Sequence, residues 1–223
     1  MTRPASSEIR VTGLSKRFDP QPKVLDDVEL TARGGGLALI VGAPGSGKST
    51  LARCLTGVYR PDNGTVTYRL GSRGAVDLTA ADARTVAWLR THHIGSFDGL
   101  VAAPPRLPAA VAAARAARCS RSSAVAALGR FHIANLASVP IGRLRVSDRL
   151  AVSLAAALLS ERPFVVLDEP ERFADGEGLT RWLRRLTDDG AAVVATGSPG
   201  SPLHGIATAT GELRRGKIQW RKP

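Results

Sequence analysis

The chain has 223 residues, 43% of them hydrophobic and 22% charged, enough for one large domain, or a domain with a subdomain, around a sizeable core. No apolar run approaches the ~18–20 residues of a membrane-spanning helix, the nearest being 150–159. With no apolar leader in MTRPASSEIR and no disulfide or zinc pattern for Cys54 and Cys119, the composition points to the cytoplasm. The net charge of +12 admits nucleic acid or an anionic membrane surface as partner; scattered arginines argue against nucleic acid and leave the inner membrane leaflet favoured, at ~1 kcal/mol per well-placed charge.

Residues 1–8 are polar, and a first strand is expected over 8–14 (EIRVTGL). Phe18 follows in a loop, and 24–32 (VLDDVELTA) alternates as a second strand. A turn at 33–36 leads into the apolar run 37–41, which has the length and flanks of a buried strand. That run ends in Gly42-Ala43-Pro44-Gly45-Ser46-Gly47-Lys48-Ser49-Thr50, which fits G-x-x-x-x-G-K-[ST] at every fixed position. A helix is expected from Ser49, with Leu51, Leu55 and Val58 at helical spacing.

Strand, glycine-rich loop and helix in this order make a phosphate site. Glycines let backbone N–H groups curl toward phosphate oxygens. The helix N-terminus adds partial positive charge. Lys48 reaches the β- and γ-phosphates, and the Ser49 hydroxyl ligates Mg²⁺. The candidate binding residues are Gly42, Pro44, Gly45, Ser46, Gly47, Lys48, Ser49 and Thr50. Beyond the helix, 60–64 (RPDNG) is a turn and 65–70 (TVTYRL) a strand.

Strand, aromatic residue, strand, phosphate loop, helix, R-P-D-N-G turn and strand together resemble the nucleotide-binding domain of ABC (ATP-binding cassette) transporters. The resemblance implies an α/β fold with a P-loop NTPase core and a mostly parallel central sheet. It adds an N-terminal antiparallel β-subdomain and an inserted α-helical subdomain, all within a single ATP-binding domain over 1–223. It implies ATP and Mg²⁺ as ligands, and it gives Phe18 the place of the aromatic residue that stacks on adenine.

Residues 77–89 (DLTAADARTVAWL) read as a helix capped by Thr79 or Asp77, and 94–97 as a strand. In the family such a strand enters the Q-loop, whose Gln touches Mg²⁺ and the attacking water. Here Asp98 and Gly99 stand instead, Asp98 being either a water-mediated metal ligand or a solvated loop carboxylate. His92 and His93 do not fall at metal-ligand spacing and read as surface residues.

From about 98 to 156 Ala and Arg dominate; Pro104, Pro105 and Pro108 mark an entry loop, and helices are expected over 109–117 and 122–131. This matches the family's helical subdomain, which docks on multi-span membrane subunits. Residues 141–159 align with the family's signature, L-S-G-G-Q and its helix, but read Leu144-Arg145-Val146-Ser147-Asp148. In the family this loop crosses a dimer interface to grip the γ-phosphate on the other subunit. Val146 does not allow the close approach of a glycine, and Asp148 adds like charge. Arg145 would replace the lost contact with a cationic one.

The apolar run 164–167 ends in Asp168-Glu169-Pro170, the Walker B arrangement. Asp168 would orient Mg²⁺ and Glu169 would polarise the attacking water, so Glu169 and Lys48 are the candidate catalytic residues. Asp175 falls where the family has its D-loop aspartate, with E-R-F-A-D in place of S-A-L-D. A helix over 179–186 packs through Trp182 and Leu183 and ends at Asp189-Gly190; 191–196 is a buried strand. The family's switch histidine is replaced by Gly197, followed by Ser198, and His204 lies too far along to substitute. Residues 212–220 close the chain as a hairpin around Arg215-Gly216.

The resemblance covers essentially the whole chain. It implies the ATP-binding subunit of a transporter, peripheral on the inner face of the cell membrane, paired with a second copy or with a different cassette. Lys48, Ser49, Asp168 and Glu169 are intact while Q-loop, signature and switch positions are altered, so the expectation is ATP binding with weak hydrolysis. The alternative is a soluble ABC-type regulatory or nucleic-acid-associated protein, for which two fused cassettes or a coiled-coil insertion would be expected. A P-loop kinase is a third reading, against which Glu169 and the closing hairpin argue.

Overall fold

Alternating side chains fold the first two strands back on each other in the computed structural model, which describes residues 7–20 and 22–221. The polar stretch 1–6 lies outside the described residues. β1 (Glu8–Lys16) buries Ile9, Val11 and Leu14, and β2 (Leu25–Arg33) buries Leu25, Val28, Leu30 and Ala32. Intervening polar residues face out, the period of a half-buried strand. With β4 (Asn63–Arg69) and β5 (Ala75–Asp77) they form an antiparallel four-stranded sheet in the order β2-β1-β4-β5.

β3 (Gly36–Val41) is buried along its whole length, as a strand covered on both faces must be. Leu37, Leu39 and Val41 enter one core, while Ala38 and Ile40 enter the other. β7 (Phe164–Leu167) and β8 (Ala192–Gly197) divide their side chains between the same two cores. Together with β6 (Ile94–Phe97), β9 (Ala209–Arg214) and β10 (Lys217–Trp220) they make a six-stranded sheet, β10-β9-β3-β8-β7-β6. Every pairing in it is parallel except the closing β9–β10 hairpin.

α1 (Lys48–Leu55) sits in the core shared by the two sheets through Leu51, Ala52, Cys54 and Leu55. Burial pushes the Cys54 thiol up to about 12, so it packs as a small apolar side chain. The opposite face of the large sheet is covered by α3 (Ala109–Ala117), α4 (Arg121–Arg130), α5 (Val146–Leu159) and α6 (Gly176–Asp188). Alanines such as Ala110, Ala113, Ala155 and Ala156 are the small side chains buried where these helices meet. Among the described residues no helix is long and apolar enough to cross a membrane.

The segment expected as one helix over 77–89 is divided. Asp77 ends β5, and its carboxylate accepts from the Thr79 N–H and hydroxyl, which bends the chain into a turn. α2 (Ala83–His92) starts later, where the Asp82 carboxylate accepts from the Thr85 N–H. Asp82, rather than Thr79 or Asp77, is therefore the cap. His92 is exposed, its Nδ1 3.0 Å from the Trp88 carbonyl, while His93 is half-buried against the Trp88 ring.

Candidate functional site: a cleft at the strand ends

The parallel strands β3, β7 and β8 end on one edge of the sheet, the edge where open α/β sheets form their clefts. A cleft of about 700 Å³ lies there, lined by the loop after β3, the start of α1 and the residues just past β7 and β8. Gly42, Pro44, Gly45, Gly47, Lys48, Ser49 and Thr50 all line it. The loop needs its glycines in place. Gly47 has φ of 106°, and a Cβ there would lie 3.0 Å from the Val24 carbonyl. A Cβ at Gly42 would lie 2.6 Å from the Ser46 Oγ and 2.8 Å from the Leu213 carbonyl. The Ser46 Oγ is buried and, among the described residues, has no hydrogen-bond partner.

The Lys48 side chain is only 4% exposed. Its Nζ donates to the Gly42 carbonyl at 2.6 Å and the Ala43 carbonyl at 3.0 Å, and lies 3.1 Å from the Glu169 Oε1. A buried ammonium is tolerated only with such partners. The Arg172 guanidinium holds the other Glu169 oxygen at 2.9 Å. Burial by itself would raise the Glu169 carboxyl; hydrogen bonds from Lys48 and Arg172 outweigh it and hold the group below the usual carboxylate range.

Asp168 continues the register of β7, its N–H donating to the Phe97 carbonyl at 2.8 Å. Buried Thr196, on β8, joins the two acidic residues: its hydroxyl donates to the Asp168 Oδ1 at 2.7 Å and accepts from the Glu169 N–H at 3.0 Å. Glu169 has φ of 47° and ψ of 52°, the left-handed region that a non-glycine residue rarely adopts. The chain reverses there into the short 3₁₀ turn Pro170–Arg172.

Lys48, Ser49 and Glu169 thus share one cleft; Asp168, held by the Thr196 hydroxyl, is not among the residues that line it. Phe18 lies outside the cleft lining; its ring is 37% exposed and meets Tyr59 edge-on at 5.3 Å. Asp98 is also outside the cleft lining, half-buried, its Oδ2 accepting from the Thr56 hydroxyl at 3.0 Å. His204 has its Nε2 3.0 Å from the Pro199 carbonyl. Asp175 caps α6, its Oδ1 accepting from the Glu177 and Gly178 N–H groups. Arg145 and Val146 begin α5 on the surface. Sequence reasoning missed Thr196, Glu171 and Arg172; a polar residue closing an otherwise apolar strand was the available signal for Thr196.

The family model described as ABC transporter matches residues 25–172. The chain is 32% identical over 199 residues to the macrolide export ATP-binding/permease protein MacB of Burkholderia thailandensis, covering 83% of this chain and 30% of that protein. The chain therefore spans under a third of the length of that relative. It is 30% identical over 197 residues to the phosphonates import ATP-binding protein PhnC 1 of Natronomonas pharaonis, covering 86% of this chain and 83% of the relative. The solved dimeric structure of a bacterial ABC transporter cassette superposes with a TM-score of 0.82 at 21% identity, covering 96% of this chain and 98% of that one. The α/β fold expected from the sequence, with its parallel central sheet and antiparallel N-terminal sheet, is the fold observed.

Proposed function

Because the chain belongs to the ABC transporter family, we propose that it binds Mg-ATP on the loop 42–50 and serves as the ATP-binding subunit of a transporter whose membrane subunits are separate chains. The observation that carries this reading is the buried Lys48 ammonium, anchored on two loop carbonyls and compensated by Glu169. A buried cation closed by one carboxylate suits a polyanion. Phosphates that take Lys48 release Glu169, which Arg172 continues to hold.

The Ser49 hydroxyl and the Asp168 carboxylate would hold Mg²⁺. They are hard oxygen donors, and among the described residues no group of three His, Cys, Asp or Glu forms a metal cage, so most ligands would come from phosphate and water. Bound Mg²⁺ supplies positive charge to the β- and γ-phosphates. Thr196 fixes one Asp168 oxygen for that task. Glu169, released from Lys48, is the carboxylate that accepts a hydrogen bond from the attacking water. Phe18 is the proposed adenine platform, exposed and braced by Tyr59.

Residues 98–156 are the proposed docking part for the membrane subunits, and a net charge of +12 suits a place at the inner face of the membrane. A second cassette, identical or different, completes the ATP site across a dimer interface. Turnover by a homodimer is slow, because Arg145, Val146 and Ser147 replace the signature residues that would grip the γ-phosphate. The test of the binding reading is Lys48→Ala, measured by equilibrium binding of a fluorescent ATP analogue. Affinity falls about 10- to 100-fold, as loss of a charged hydrogen-bond donor predicts; unchanged affinity would place the nucleotide elsewhere.

A further inference from the structure

Lys48 has no donor to spare. An ammonium carries three N–H groups and no acceptor, and three oxygens stand around this one: the Gly42 and Ala43 carbonyls and the Glu169 Oε1. A phosphate that enters the cleft and takes Lys48 must therefore displace one of them. The two carbonyls belong to the backbone of the loop, which close packing at Gly42 and Gly47 holds in place. Glu169 is the partner free to leave. Its main chain is pinned, the N–H on the Thr196 hydroxyl and the carbonyl accepting from the Arg172 N–H at 3.2 Å, so the exchange falls to its side chain.

The turn that follows supplies the destination. Arg172 donates to the other Glu169 oxygen at 2.9 Å, from a side chain that is 67% exposed at the border of the same cleft. Its guanidinium lies 5.8 Å from the centre of the Phe173 ring, which in turn meets Phe97 edge-on at 5.6 Å. Lys48 and Arg172 are the two cations among the described residues that line the cleft. The other acid of the turn, Glu171, is already engaged, its Oε1 accepting from the Ser198 N–H at 2.9 Å.

We propose that Glu169 is an internal counter-anion which the phosphates of ATP displace from Lys48, and that Arg172 is the positioning residue that receives it and thereby raises ATP affinity. The inference rests on the ATP reading of the cleft and adds to it a determinant of affinity that acts through Glu169. With Arg172 in place, the displaced carboxylate keeps a cationic partner. Without it, the carboxylate stands beside the incoming phosphates as like charge on like charge.

Equilibrium binding of a fluorescent, non-hydrolysable ATP analogue with Mg²⁺ reads this exchange without turnover. Arg172→Ala is expected to weaken binding about three- to fivefold, the upper range for one exposed ion pair. Arg172→Gln, which keeps the length and loses the charge, weakens it by the same factor. Glu169→Gln binds more tightly than wild type, because a neutral amide leaves Lys48 more readily than a carboxylate. In that background Arg172→Ala changes affinity by less than about twofold. A residue that only braced the turn would show no such dependence on Glu169.

Wild-type affinity in both Arg172 variants overturns the proposal. So does an undiminished loss in the Glu169→Gln background, which would put Arg172 on the phosphates directly, and so does a Glu169→Gln variant that binds no more tightly than wild type. Failure of the ATP reading has a different signature. The wild-type chain would then bind no ATP analogue, and inorganic tripolyphosphate, titrated by calorimetry, would decide the exchange alone: binding with the same Arg172 dependence supports it, and binding without that dependence, or none, overturns it.

Discussion

Helices α1 and α5 both begin without a side-chain cap among the described residues, in opposite surroundings. α1 starts at Gly47, with Lys48 buried beneath it and no acidic residue in its first turn. α5 starts at Arg145, with Val146 63% exposed and Asp148 in its first turn. Open N–H groups and the positive end of a helix dipole attract an anion only where the chain has not supplied one. At α1 no acidic side chain stands in the first turn, and the positive end is left open. At α5 the chain's own carboxylate complements the dipole, and an apolar side chain stands in the approach. The two helix starts thus differ: one lies open over a buried cation, the other carries its own carboxylate and an exposed apolar side chain.

The largest effect is expected from making α5 resemble α1. Arg145→Ser, Val146→Gly and Ser147→Gly together remove the bulk and reopen backbone N–H groups, and phosphate release rises about 10²-fold, the worth of one preorganised contact. ATP affinity, set by the α1 half, does not change. No gain in release would mean that the α5 end is not what limits turnover.

An intermediate effect tests how tightly the α1 half is built. Thr196→Val keeps the shape and deletes the hydroxyl between Asp168 and Glu169. Urea unfolding without nucleotide should show a loss of about 1–3 kcal/mol, the cost of leaving buried polar partners unsatisfied. A change within ~0.5 kcal/mol would make the bridge dispensable to folding.

The smallest effect uses a capped helix as control. The Thr85 N–H on the Asp82 carboxylate holds its pKa below the ordinary value. A lowered folded pKa adds stability that is present above the unfolded carboxylate value of ~3.9 and is lost as pH falls through the folded one. Asp82→Ala therefore lowers the urea midpoint at neutral pH and removes that acid-range dependence, whereas Arg145→Ala at uncapped α5 changes neither. Equal midpoint losses in the two variants would show that Arg145 supports its helix as a cap does.

Strand, loop and helix around Lys48 were legible because a short apolar run and a fixed glycine spacing leave the backbone few alternatives. The division between the two sheets followed from the family resemblance rather than from residue patterns. The start of α2 was not, since Asp77, Thr79 and Asp82 are equally good capping residues, and only the turn closed by Asp77 decides among them. The contacts of Thr196, Glu171 and Arg172 were hidden because they depend on the left-handed backbone at Glu169, which no local propensity favours. Asp98 and Phe18 are placed by tertiary contacts with Thr56 and Tyr59, partners remote in sequence.

We infer that this chain holds ATP with one half of a site and turns it over poorly with the other. ATP affinity and steady-state phosphate release, measured on one preparation beside Glu169→Gln, test it most directly. The account predicts saturable ATP binding with release below about 0.01 s⁻¹, two orders under the ~1 s⁻¹ floor of ordinary turnover. Release on the order of 1 s⁻¹ or faster, abolished by Glu169→Gln, would contradict it.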